Sequence, residues 1–214
     1  MTKSNKTYDA ILIPTGETSF GDRTFPVRTK AVELFNTGKY GCIFVTGGYN
    51  GFAKYGPRKE ISEAKDTFNF LTGTCGIPED KIYTDDRSLE SVGNLTFPLV
   101  MPIYGNPCLD EFKKIMIVGK EGHLWRVKQY THIVLPPKIN LEFEEIPGKH
   151  NNGLAAKAYH AGIRNALANK RGPEDIHYFL MHEHPFYSEN WFETPVFSRK
   201  MEMGSVALRW LLGR

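Results

Sequence analysis

The chain has 214 residues, 41% hydrophobic and 24% charged, which suits one globular domain with a sizeable core. Its net charge of +3 comes from scattered Lys and Arg with no block of like charge, which argues against nucleic acid as a partner. No apolar stretch is long enough to cross a bilayer and the N-terminal apolar run is too short for a signal peptide, so no membrane partner is expected. Cys42, Cys75 and Cys108 form no close pair of the zinc or redox kind, and Cys42 sits in an apolar run. A cytoplasmic protein in a reducing compartment is the expectation.

In chain order, YDAILIP (Tyr8 to Pro14) reads as a buried strand, short, apolar and ended by Pro. Val27, Ala31, Leu34 and Phe35 then share one face of a helix that stops at Gly38. GCIFVTG is a second buried strand. Ala64, Phe68 and Leu71 mark the next helix, with Glu63 in its first turn. KIYTDD is a weaker strand. From Ser88 the pattern is helical to about Phe97, where Pro98 and Pro102 interrupt it. KKIMIVG is a strand, HLWRVKQYTH a short helix and LEFEEIP a weaker strand. An alanine-rich helix follows in NGLAAKAYHAGIRNALANK and ends near Gly172. PEDIHYFLMHEH fits a helix opened by Pro173, Glu174 and Asp175, or a last strand over Ile176 to Met181. Met203, Val206, Ala207, Trp210 and Leu211 form the apolar stripe of a C-terminal helix.

Strands that alternate with helices imply parallel pairing, right-handed crossovers and helices on both sheet faces, an α/β domain. Ligands of such sheets bind beyond the carboxyl ends of the strands, near the point where the strand order reverses. The Gly-rich, polar loops after four strands should therefore open on one edge. Gly47 and Gly48 allow a close backbone approach and can aim N–H groups at an anion; a plain turn is the alternative. Glu63 either complements the helix dipole or bonds ligand hydroxyls. Ser88 suits an N-cap, and Asn94, a mediocre residue inside a helix, can reach back to the strand ends. Asp86 lies beside them. His123 and Arg126, three apart at a helix start, share a face and suit a phosphate or carboxylate, with His123 also able to move a proton near neutrality. Arg28 supplies a second cation if it points inward. His182, Glu183 and His184 bring metal to mind, but residues two apart diverge on a helix or a strand, so no metal site is assigned. Phe186, Tyr187, Trp191 and Phe192 pack the C-terminus or form a homo-oligomer contact.

Taken together these segments resemble the YdcF-like family. YDAILIPTG is similar to its opening strand and glycine turn at Gly16, and Arg28 with AVELF to its Arg-bearing first helix. IFVTGG with SEA resembles the second strand, glycine pair and helix start that holds Glu63. SLESVGN, with Ser88 and Asn94, and IMIVGKEGHLWR, with His123 and Arg126, resemble two further motifs. The match runs from about Tyr8 to Arg126. It departs at Thr15, where Gly is usual, at Ser91, where Thr is usual, and at the turn Gly119-Lys120-Glu121. The resemblance implies a three-layer Rossmann-like domain, and S-adenosylmethionine as a cofactor known for one member; the family has no firmly established reaction. Residues after about Pro147 have no counterpart and read as a helical extension packed on a single domain spanning 1–214.

The resulting expectation is an enzyme, a hydrolase or transferase, acting on a small anionic nucleotide-like or phosphorylated molecule. Gly16, Arg28, Gly47, Gly48, Ser88, Asn94 and Arg126 would bind it, and His123, Glu63 and Asp86 would carry the chemistry. The alternative is a non-catalytic module for S-adenosylmethionine or a nucleotide. Ordinary methyl transfer is disfavoured because the second strand ends in Thr46-Gly47-Gly48 and not in an acid that would hold a ribose.

Overall fold

The computed structural model describes residues 9–15, 25–49, 61–100, 107–148, 153–188 and 196–213. Five parallel strands form one sheet in the order β3-β2-β1-β4-β5. They are β1 (Asp9–Pro14), β2 (Tyr40–Thr46), β3 (Ile82–Asp85), β4 (Lys114–Lys120) and β5 (Asn140–Ile146). Both weaker strand readings, β3 and β5, hold. The helices are α1 (Phe25–Asn36), α2 (Glu63–Asn69), α3 (Gly93–Val100), α4 (Glu121–Val134), α5 (Leu154–Leu167), α6 (Pro173–Glu183) and α7 (Val196–Leu211).

The layering follows from the alternation of side chains along each strand. Ile11, Ile13, Ile43, Val45, Met116 and Val118 face one way and are covered by α1 and α2 through Val27, Ala31 and Ala64. Ala10, Leu12, Cys42, Phe44, Ile115 and Ile117 face the other way. They share one apolar cluster with Leu95 of α3, Val127 of α4, Ile163 of α5 and Phe179 of α6. This is a three-layer α/β/α arrangement of the Rossmann kind. Burial of Cys42 pushes its thiol up to about 12. Among the described residues no helix is long and apolar enough to cross a membrane.

Local signals explain most element ends. Gly38 takes a left-handed φ of +71° just past α1, and Ser62 caps α2 by accepting from Lys65 N at 3.1 Å. The ambiguous segment from Pro173 is a helix, α6, whose first turn is set by Pro173 and by Glu174 and Asp175. The edge strand β5 carries Glu142 paired to Lys114 at 2.7 Å and Glu144 paired to Lys30 at 3.3 Å, charges that blunt an open sheet edge.

Two sequence readings shift. The helix expected from Ser88 begins at Gly93 and runs through Pro98 to Val100, while Pro102 lies outside the described residues. Ser88 is therefore not an N-cap. Glu90 takes that part, accepting from Val92 N at 2.6 Å and Gly93 N at 2.5 Å. The C-terminal α7 packs on α5, where a Cβ at Gly162 would lie 2.6 Å from the Ala207 carbonyl oxygen. Phe186 and Tyr187 pack the C-terminal region inward, the Tyr187 hydroxyl accepting from Leu89 N at 3.0 Å; Trp191 and Phe192 lie outside the described residues.

Candidate functional site

The strand order reverses between β1 and β4, and a crevice opens there at the carboxyl ends of the strands. A cavity of about 800 Å³ occupies that edge. One side is built by the strand ends and following turns, with Thr15, Gly47, Gly48, Glu63, Ser88, Asn94, His123 and Arg126. The other is built by α5 and α7. Seven predicted residues are thus brought together: Gly47, Gly48, Glu63, Ser88, Asn94, His123 and Arg126. Gly16 lies outside the described residues.

The glycine pair is used for close packing. Gly47 N donates to Asp85 O at 2.8 Å and Gly48 N to Ser88 O at 2.7 Å, so neither N–H is aimed at an anion. Gly47, at φ +138°, has no room for a side chain, since a Cβ would fall 1.7 Å from Thr15 Oγ1. The carbonyls of both glycines accept from the first turn of α2, Gly48 O from Glu63 N at 3.0 Å and Gly47 O from Ala64 N at 2.8 Å. The turn expected to cradle a ligand instead welds β2, β3 and α2 together beneath it.

Asn94 does reach back. Its Nδ2 donates to Thr15 O at 2.7 Å and its Oδ1 accepts from Ser88 Oγ at 2.6 Å. Both residues are buried. One amide therefore ties the end of β1 to the turn after β3, and its place early in α3 is explained by that brace.

His123 and Arg126 sit in the first turns of α4, which starts directly from β4. Arg126 Nη2 lies 3.0 Å from His123 Nδ1. A guanidinium only donates, so Nδ1 accepts and the ring proton sits on Nε2. Burial, then the Arg126 charge and His160, push His123 down to about 3; the Pro14 carbonyl pulls weakly the other way. Nε2 is buried without a hydrogen bond of normal geometry. His123 is thus a neutral donor at pH 7, and the expected proton exchange near neutrality does not belong to it as it stands.

Two predicted residues are placed elsewhere. Arg28 is buried between α1 and α2, ion-paired to Asp66 and 5.5 Å from the Phe70 ring centre, and does not line the cavity. It joins two helices. Arg28→Ala is expected to cost about 1–2 kcal/mol in urea unfolding and to leave any ligand response intact. Asp86 is exposed and offers only its backbone to Gly48. Its neighbour Asp85 is the buried acid, paired with Arg87 at 2.7 Å, and burial raises it.

Sequence reasoning missed Glu90, Tyr159 and His160, all on the cavity wall. Burial pushes Glu90 up to about 7, against the two backbone N–H bonds that lower it. A carboxyl that titrates at neutrality in a cleft is suited to exchanging protons. His160 bonds the Tyr130 hydroxyl, and burial with Arg126 and Arg164 pushes it down to about 4. The signal for Glu90 was an acid three residues before the helix that its side chain caps. For Tyr159 and His160 it was an aromatic pair interrupting an alanine-rich face.

The chain matches no protein-family model, no curated protein and no solved structure. Function therefore rests on the site. His182 is exposed, whereas His184 is buried against Phe179, Phe186 and Trp210 with Nε2 3.2 Å from the Tyr159 hydroxyl. The two do not converge. Among the described residues no group of three His, Cys, Asp or Glu is arranged to hold a metal ion.

Proposed function

We propose that this protein is an enzyme that binds a small phosphorylated metabolite at the C-terminal edge of its sheet, with hydrolysis or group transfer as the reaction class. The observation that carries the reading is the His123–Arg126 pair at the start of α4, lining the cavity at the strand-order reversal. A helix N-terminus, a guanidinium and a neutral ring N–H are all complementary to phosphate oxygens. Glu90 is the group for proton exchange, since Asp86 is exposed and outside the cavity lining, and Glu63 stands on the same wall. Similarity to the YdcF-like motifs is part of the proposal and supports the same residues.

The test is thermal stabilisation by phosphate and its monoesters. At a hundredfold excess over Kd, a ligand adds about 2.7 kcal/mol to folding stability. Arg126→Ala and His123→Ala are each expected to remove that gain while the unliganded protein stays folded. Wild-type responses in both variants would refute the assignment.

The second reading is a non-catalytic S-adenosylmethionine or nucleotide module, favoured by the Glu63 carboxylate on the cavity wall, where it would meet ribose hydroxyls. Calorimetry with S-adenosylmethionine and with AMP separates the two. No heat at millimolar ligand removes this reading.

A further inference from the structure

We propose that the ligand of this cavity is an amphiphile, with its anionic head at His123 and Arg126 and an aliphatic body laid along α5 and α7. This rests on the anion-binding reading above and specifies the remainder of the molecule. The cavity is chemically two-sided. Its hydrogen-bonding groups lie at the strand ends and in the turn before α3, apart from Tyr159 and His160 on α5, whose polar atoms are bonded to His184 and Tyr130. The opposite wall presents Ala155, Ala156 and Ala158 from α5, and Gly204, Leu208 and Leu211 from α7.

Several observations decide what covers that wall. A phosphate group, about the size of a few waters, fills only a small part of 800 Å³. The His123–Arg126 pair at the start of α4 marks the polar end. Leu208 and Leu211 lie on the cavity-lining face of α7 yet are 56% and 46% exposed, so among the described residues nothing closes over them. A nucleobase laid against these alanines and leucines would bury ring nitrogens and exocyclic groups without partners, which is costly. A hydrocarbon chain has none to satisfy. The small residues of α5 leave width for a chain, and the leucines of α7 supply apolar contact along it.

The experiment compares inorganic phosphate, AMP and hexyl phosphate, the last below its micellar range, by calorimetry and thermal shift on wild type and Leu208→Asp. Each methylene buried is worth about fourfold, so hexyl phosphate should bind roughly sixtyfold tighter than inorganic phosphate when three are covered. AMP should gain far less. Leu208 is surface-exposed, so Leu208→Asp should fold, keep phosphate binding and lose most of the hexyl advantage. Hexyl phosphate no tighter than inorganic phosphate, or AMP tighter than hexyl phosphate, would overturn the amphiphile and leave the anion site standing. No binding of any phosphate would overturn the anion reading itself and this inference with it. A dimer that Leu208→Asp turns into monomer, with hexyl binding unchanged, would show a contact between copies of the chain and would also overturn the proposal.

Discussion

Gly48→Ala is expected to destabilise the protein by about 3 kcal/mol and to abolish any ligand response. The substitution adds one methyl group at an ordinary backbone conformation, so the cost is purely one of space. The new Cβ would fall 2.1 Å from the Asp86 carbonyl oxygen, 3.0 Å from its carbon and 3.2 Å from the Ser88 oxygen. All three are main-chain atoms and no side chain can swing aside. The Asp86–Ser88 turn would have to move by more than an ångström. That turn is held by Gly48 N on Ser88 O and by the Ser88–Asn94–Thr15 chain of hydrogen bonds. Shifting it releases the brace on which the cavity edge depends. Gly204→Ala in α7 is the control, because a Cβ there meets nothing within 4 Å. It should be neutral or stabilising by about 0.5–1 kcal/mol. Urea unfolding of both variants checks the pair, and a Gly48→Ala loss under about 1 kcal/mol would contradict the packing argument.

Acidification is expected to produce the second large effect. His123, His160 and His184 are buried and held at about 3, 4 and 3, each chiefly by desolvation. In the unfolded chain they take up protons near 6.5. Their stabilising contribution is present above that value and is lost as pH falls toward the folded ones. Glu90 acts in the opposite sense. Its folded value of about 7 lies above the ordinary 4.5, so its contribution is present below 4.5 and is lost as pH rises through 7. Between pH 6 and 5 the unfolded chain therefore binds about two more protons than the native one. The slope is about 2–3 kcal/mol per pH unit. Glu90→Gln should steepen it toward about 4. Denaturant midpoints measured across this range, with and without Glu90→Gln, give both numbers. A flat profile would mean that the three imidazoles are not buried as neutral groups.

The sheet was legible because parallel, doubly covered strands write themselves as short apolar runs, and β1, β2 and β4 do so plainly. The segment of α6 was not, since Ile176 to Met181 has the same composition in either state. The first-turn residues Pro173, Glu174 and Asp175 are what mark it as a helix. Within the site, Asn94 and the His123–Arg126 pair were legible because their signals are local, an awkward residue in a helix and a shared face at spacing three. Arg28 misled because its partner, Asp66, is 38 residues away. Asp86 misled because TDD does not say which acid turns inward. The glycine N–H groups looked available because their acceptors, Asp85 and Ser88, lie at the end of β3 and in the turn after it. The α5–α7 wall was hidden for a related reason: periodicity marks an apolar face but not whether it meets protein or a cavity.

Where α5 crosses α7, the helices are separated by little more than the missing side chain of Gly162. The gauge of the apolar wall is thus set by a residue outside the cavity lining. A methyl group at 162 would wedge the crossing and swing Leu208 and Leu211 away from the alanines of α5, opening the mouth without altering a single group that lines the cavity. Selectivity for the girth of the proposed ligand would then be adjustable at a distance, by a spacer and not by a contact.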